Sequence, residues 1–299
     1  MNLRRLRYFV KCVDLGSLNQ AAEVLHVAQP ALSQQLSILE GELKQPLLIR
    51  SKKGVVPTEA GKVLYRHAQT ILRQSRLAYE DVQNSGAHLT GSVTIGMAQF
   101  SMATRLAVPL IGRVRARHPG ILLYVNENSS IPMSEMILSG RADLALIGTS
   151  LYGAKPPHGL SFLPLIDEPL YLVADRTEHA CAASDIAALA DVGLALPAEN
   201  HFLRRLVDDS FSRQGLKPCV VTEVTSMATL AELVRLHFAA SILPESVARD
   251  VAQGHERLDI FPIAEPVGRA RLALCQSELQ PLTRAAEFVK TTLIELAQG

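Results

Sequence analysis

The sequence has 299 residues, 48% hydrophobic and 20% charged, with a net charge of +1, which suits one or two packed cores and excludes a disordered tail. No run approaches the ~18 apolar residues of a membrane span, and the opening "MNLRRLRYFVKCVD" lacks the uninterrupted apolar stretch of a leader, so a cytoplasmic protein is expected. The charge is unevenly divided: residues 1–89 hold 12 Lys and Arg against 7 Asp and Glu, or +5, and the remainder 18 against 22, or −4, the asymmetry of a small polyanion-facing module joined to a larger acidic one.

Three short helices are predicted first. Leu3, Leu6, Phe9, Val10 and Val13 recur at helical spacing and end near Gly16. "SLNQAAEVL" opens with Ser17 and places Gln20 three residues on, a capping-box spacing. After the connector "HVA", with His26 as a packed or capping residue, "QPALSQQLSILE" starts a third helix whose Pro30 suits the first turn, where its missing N–H has no partner. Leu32, Leu36, Leu39 and Leu43 form one expected buried stripe, with Gln34 opposite and Ser33 and Ser37 beside it. Such uncharged donors and acceptors suit base edges, Gln being able to bond adenine N6 and N7 together; the alternative is an ordinary solvated helix face. "PLLIRSKKGVVPT" reads as two short strands about a turn closed by Gly54, with Arg50, Lys52 and Lys53 placed for phosphates. A winged helix-turn-helix that binds double-stranded DNA fits this order.

The stretch "GSLNQAAEVLHVAQPALSQQLSILEGEL", then the Arg and "PTEAG", resembles the amino-terminal signature of LysR-type transcriptional regulators across residues 1–65. Within that family, "RRLRYFV" to "LRQ" at residue 74 is most similar to the nitrogen assimilation control regulators. The resemblance implies DNA contact by Ser17, Gln29, Pro30, Ser33, Gln34, Ser37, Arg50, Lys52 and Lys53, and a regulator that recruits or blocks RNA polymerase. Two positions depart from the family pattern: Leu48, where Phe is frequent, and Gln34, where Arg is frequent.

From Thr58 to about Ser85 no proline interrupts, so a helix of roughly 28 residues would run about 42 Å. Leu64, Ala68, Ile71, Ser75, Ala78 and Val82 alternate steps of four and three, and Leu72 lies in an adjacent row with Tyr65 and Tyr79, a coiled-coil-like seam. The resemblance makes this a dimerising linker helix, giving a homodimer or homotetramer on a two-part palindrome.

Beyond "NSGAHLTG", strand-like and helix-like segments alternate in the βαβ rhythm of an open, largely parallel sheet, from "SVTIGMA" through "ADLALIG" and again from "PLYLVA" through "AASILP". A last helix near Pro281–Ala297 is expected to return to the first lobe. The fold class is therefore α/β: a winged helix-turn-helix over residues 1–58, a linker helix over 59–89, and a two-lobed effector domain over 90–299 resembling periplasmic binding proteins. Lobe one takes about 90–161 and 267–299, lobe two about 162–266. The resemblance brings Gln99, Phe100, Ser101, Ser129, Ser130 and Thr149 to one wall of the cleft and Pro197, His201, Thr225 and Ser226 to the other. Hydroxyls and helix-start amides there suit a small-molecule, anionic effector, although the related nitrogen regulators are thought to act without one. "RLHFAAS" stands where the family has a glycine-containing turn, so an altered cleft edge is expected near His237 and Phe238.

Cys12, Cys181, Cys219 and Cys275 have no CxxC pair or metal-ligand spacing, so reduced thiols and no metal or bound cofactor are expected. No GxSxG, Walker, GxGxxG or HExxH spacing supports the alternative of an α/β enzyme with a DNA-binding appendage. The modest basic charge argues against a second alternative, a non-specific nucleic-acid-binding protein.

Overall fold

The computed structural model describes residues 1–51, 54–83, 88–152, 156–177, 185–264 and 268–298. Lys52, Lys53 and Cys181, singled out above, lie outside the described residues. The chain divides into two compact units, the first built from the amino-terminal helices, hairpin and long helix.

In the first unit, α1 (Leu3–Leu15), α2 (Leu18–Val24) and α3 (Gln29–Leu43) are followed by β1 (Leu48–Ser51) and β2 (Gly54–Pro57), an antiparallel hairpin, and by α4 (Glu59–Gln83). Local chemistry punctuates each helix. Asn2 accepts from the Arg5 amide at 2.9 Å, and Ser17 from the Gln20 amide at 3.4 Å, each satisfying a first-turn donor that has no partner inside the helix. The second helix ends where His26 turns left-handed, at φ 53°. Its N–H bonds the Glu23 carbonyl while that of Val27 reaches Ala22, the two-bond helix stop that glycine usually serves. His26 caps with its backbone and its side chain is exposed, so it is not packed. Phe9, Cys12, Ala21, Ala22, Leu32, Leu36, Leu39, Leu47, Leu48 and Val55 form one small core. Leu43, expected on the same stripe, is 38% exposed because the helix runs past that core before stopping at Lys44.

The second unit has one continuous core through two lobes. Lobe one holds β3 (Thr90–Ala98), α5 (Met102–Arg117), β4 (Gly120–Asn128), α6 (Ser130–Leu138), β5 (Leu144–Gly148) and β6 (Leu160–Glu168). Lobe two holds β7 (Leu170–Asp175), β8 (Leu194–Pro197), α7 (Phe202–Ser212), β9 (Val220–Val224), α8 (Met227–Arg235), β10 (Ser241–Pro244), α9 (Glu245–Ala252) and β11 (Leu258–Pro262). The chain then returns through β12 (Ala270–Ser277) and α10 (Arg284–Gln298), which packs on α5 and β3 as expected of the last helix.

The sheet of lobe one runs β4-β3-β5-β12-β6, parallel over its first three strands and antiparallel at β12 and β6. Lobe two pairs β10 and β11 antiparallel to β7, and β8 parallel to β9. The five-stranded sheet is thus mixed, and lobe two divides into a three-stranded antiparallel sheet and a two-stranded parallel one, so the domain is not largely parallel. The lobe boundary also moves: β6 completes the first sheet, so lobe one continues to Glu168 and the crossing falls at Pro169, beyond the expected 161.

The hairpin of the first unit is seated by two close-packed glycines. Val55 N–H donates to the Gly16 carbonyl at 2.8 Å, and a Cβ on Gly54, whose φ is 124°, would stand 2.4 Å from that same oxygen. Gly54→Ala therefore combines backbone strain with a backbone clash, and a loss of about 2–3 kcal/mol is expected. Urea denaturation followed by circular dichroism measures it; an unchanged midpoint for the first unit would refute this seating.

Candidate functional site

Helix α3 presents the first candidate surface. With Leu32, Leu36 and Leu39 inward, Gln34, Ser37 and Pro30 are exposed and Gln29 and Ser33 half-buried. Ala28 starts the helix without a side-chain acceptor. Ser17 sits at the start of α2, its hydroxyl oxygen taken by the Gln20 amide. Arg50, expected to meet phosphate, is engaged within the fold: its Nη1 donates to Ser33 Oγ at 2.7 Å and its Nη2 lies 3.5 Å from Glu40 Oε2. Glu40, which the sequence did not single out, also accepts from the Leu47 and Leu48 amides at 2.8 and 3.1 Å. Recognition helix and wing are thereby one piece. A carboxylate facing two strand-entry amides was not recognisable from spacing alone.

The long helix divides its expected seam. Leu64 packs on the first unit's own core and Ala68 is fully buried, while Ile71 and Leu72 are half-buried. The amino-terminal part of the seam is therefore partly taken up by the chain itself. Ser75, Ala78 and Val82 remain exposed, with Tyr79 68% and Val82 73% accessible, one face at helical spacing.

Between the lobes lies a cavity of ≈ 410 Å³ bordered by Gln99, Phe100 and Ser129 from one side and Pro197, His201 and Thr225 from the other. Six expected residues thus converge. Glu127, Asn128, Pro132, Ala198, Asn200 and Val224 complete it, positions at strand ends, before a helix or in a helix's first turn that carry no spacing signal. The floor is aromatic. Phe100, at φ 52° and 1% exposed, meets the His201 ring edge-on at 5.2 Å, and the neighbouring Phe202 ring lies so close to Gly148 that a Cβ there would stand 2.2 Å from it. His201 Nδ1 accepts from the Leu203 amide at 3.2 Å, capping α7. Burial, weakly opposed by the Gln99 backbone, pushes this imidazole down to about 4, so it is neutral at pH 7.

Comparison with known proteins places both units in one family. Residues 3–62 match the model of the bacterial regulatory helix-turn-helix protein, lysR family, and residues 86–298 match the LysR substrate binding domain. The chain belongs to the LysR family of transcriptional regulators. Among LysR relatives, the nitrogen assimilation regulatory protein nac of Klebsiella aerogenes is 42% identical over 99% of this chain and 95% of its own. The protein of that name from Escherichia coli is 46% identical over 84% and 81%. A full-length OxyR variant from Pseudomonas aeruginosa superposes with TM-score 0.75 at 26% identity, covering 98% of each chain. The LysR-family regulator CbnR shares the fold, with TM-score 0.66 at 21% identity over the whole of both chains.

Four residues that the LysR resemblance put at the cleft serve the fold instead. Ser101 Oγ donates to the Ala98 carbonyl at 2.7 Å and accepts from the Ala103 amide at 3.2 Å. Ser130, fully buried, accepts from the Gly148 amide at 3.0 Å. Ser226 accepts from the Thr229 amide and lies outside the cavity lining. Thr149 donates its amide to the Arg271 carbonyl and borders a separate depression with Asp167 and Arg271. The charge of the cavity is also opposite to expectation: among the described residues its lining includes the carboxylate of Glu127 and no Lys or Arg, poorly matched to an anion. The departure at His237 leaves the cavity intact. His237 holds the left-handed position after α8 at φ 61°, bonded to Val234 while Phe238 bonds Leu233, the same stop that His26 makes. Neither residue borders the cavity.

The neutral His201 makes stability depend on pH. The unfolded chain takes up a proton as pH falls through about 6.5, whereas the fold resists it until about 4. Stability is therefore complete above the unfolded value and falls between these limits, by at most about 3 kcal/mol. His201→Asn, which keeps a capping acceptor, is expected to flatten this part of the pH profile. Denaturation series of both proteins from pH 7.5 to 4 provide the check, and parallel profiles would exclude the assignment.

Proposed function

We propose that this LysR regulator reads an interrupted palindrome in double-stranded DNA as a homodimer or homotetramer and controls genes of nitrogen assimilation or a related metabolism. The observation that carries DNA reading is the α3 surface, where Gln34 and Ser37 stand exposed above a leucine core and the wing is tied to Ser33. Identities of 42% and 46% to the nac proteins along most of the chain support the pathway. Gln29, Pro30, Ser33, Gln34 and Ser37 serve the groove, and Lys52 and Lys53 serve phosphates. RNA polymerase is the downstream partner, recruited or blocked from the bound site. The role is regulatory and not enzymatic, and a reader of chromosomal DNA belongs in the cytoplasm.

DNA binding in this reading requires no added small molecule. Phe100 and His201 already occupy the cleft floor and Phe202 packs behind them against Gly148, so the two lobes hold together through their own side chains. A molecule entering the remaining cavity would be small and without net negative charge, held by Gln99, Ser129, Thr225 and the cleft edge of His201. It would shift the regulator's states only by binding them unequally.

Two outcomes are expected. Fragments of the source genome selected by the full-length protein at moderate salt, with no small molecule added, should share a two-part palindromic motif. Gln34→Ala should relax one base position in each half by about 1–3 kcal/mol if its contact is bidentate. Uniform recovery of fragments would count against the proposal, and an unchanged motif in the variant would remove Gln34 from it. The exposed end of the linker seam gives the second: Val82→Asp introduces charge at a site already 73% accessible within the chain. It should leave the fold intact and halve the sedimenting mass; retention of the full mass would place the contact elsewhere.

A further inference from the structure

We infer that Ser33 and Arg50 act as one specificity unit, in which Arg50 is a positioning residue that turns the Ser33 hydroxyl into a hydrogen-bond donor toward the DNA. This rests on the proposed reading that the α3 surface enters the groove. The carrying observation is the 2.7 Å contact from Arg50 Nη1 to Ser33 Oγ. A guanidinium has N–H donors and no acceptor, so in this pair the serine oxygen must accept. One lone pair of the hydroxyl is then occupied, and the adjacent positive charge disfavours a second incoming donor while polarising the O–H bond. The hydroxyl hydrogen meets no acceptor among the described residues, in contrast to Ser101 and Ser210, whose hydroxyls donate to backbone carbonyls. What Ser33 offers outward is a donor.

Arg50 is held in this orientation from its other side. Its Nη2 stands 3.5 Å from Glu40 Oε2, and the other oxygen of that carboxylate is fixed by the Leu47 and Leu48 amides. The guanidinium is about one-third exposed, braced between the recognition helix and the first wing strand. A donor at Ser33 selects acceptor atoms in the major groove: purine N7, guanine O6 or thymine O4. It discriminates against the amino groups of cytosine and adenine N6. Serine alone can bond either kind of edge; the brace removes that ambiguity.

The test is selection from a randomised half-site library by full-length wild type, Ser33→Ala, Arg50→Ala, Arg50→Lys and the double variant Ser33→Ala/Arg50→Ala, with binding measured across a salt series. Ser33→Ala and Arg50→Ala should relax preference at the same base position, each by about 5-fold, and the double variant should lose no more than either single one. Arg50→Lys, which keeps the charge but cannot bridge serine and carboxylate in the same way, should also relax that position. The salt slope should stay as in wild type. If Arg50 simply meets a phosphate, Arg50→Ala will weaken all sequences alike, lower the slope by about one per contact and add to Ser33→Ala; that result overturns the inference, as does an unshifted motif in Ser33→Ala. Thermal melting of each variant separates these effects from a loosened wing: if Arg50→Ala melts early, Arg50→Lys and Ser33→Ala decide the matter. A wild type that selects no motif would instead defeat the underlying reading of the α3 surface.

Discussion

A helix begins with amides that no carbonyl inside it can accept, and this requirement governs where polar side chains go throughout the protein. Asn2, Ser17, Thr58, Ser101, His201, Ser226 and Thr283 each supply an acceptor to an amide two or three residues on. In the effector domain the same rule operates at the ends of strands, where binding groups are also sought. A serine between a strand and a helix is therefore claimed by the fold before a ligand can use it. Ser101 and Ser226 are of this kind, and buried Ser130 bonds a neighbouring strand amide in a similar way. Helix α3 differs, since Ala28 brings no side-chain acceptor.

The helices of the first unit were legible because each carries its own stop and start. Their boundaries follow from Ser17, Pro30 and the hydrophobic spacing, with little help from tertiary context. Even so, His26, Lys44 and His237 take left-handed backbone positions for which the sequence offers no glycine. Each follows a helix whose last carbonyls are bonded back in the same two-bond manner, and those bonds offset a strain of about 1–2 kcal/mol. The return strands were not legible. In β6, Pro164 and the outward Leu163 break the alternation of an ordinary strand, and a register shift opposite them lets β12 pass between β5 and β6. Strand direction is decided by the path between lobes, which no local pattern records, so a parallel reading of the sheets was the natural error.

The cleft shows the same division between local and global information. Its approximate position was legible, because the residues following successive strands converge at the same end of the sheets. Its occupancy was not. Phe100 borders the cavity as expected, but a left-handed turn also directs it to the His201 ring, and Phe202 closes over a glycine that leaves just enough room. The pattern of polar residues suggested an anion, but the negative charge of Glu127 comes from a strand end that periodicity treats as ordinary solvent-facing sequence. Whether a residue is a wall, a plug or a cap depends on what arrives from the other lobe.

The uncharged character of the α3 surface follows from how affinity and discrimination divide between groups. Each cation brought to a phosphate strengthens binding to every sequence alike and raises salt dependence, so charge on the reading surface would favour the wrong sites along with the right one. With the first 89 residues at a net +5, attraction is already supplied by the unit as a whole. In the proposed reading, glutamine at residue 34 adds direction without adding to that uniform attraction, whereas arginine there would add both. The positive charge of Arg50 is correspondingly turned to Ser33 and partly neutralised by Glu40. Placed so, it strengthens the direction of a neighbouring hydrogen bond more than it strengthens adhesion, which is the more useful contribution for a protein that must find one site among many competing ones.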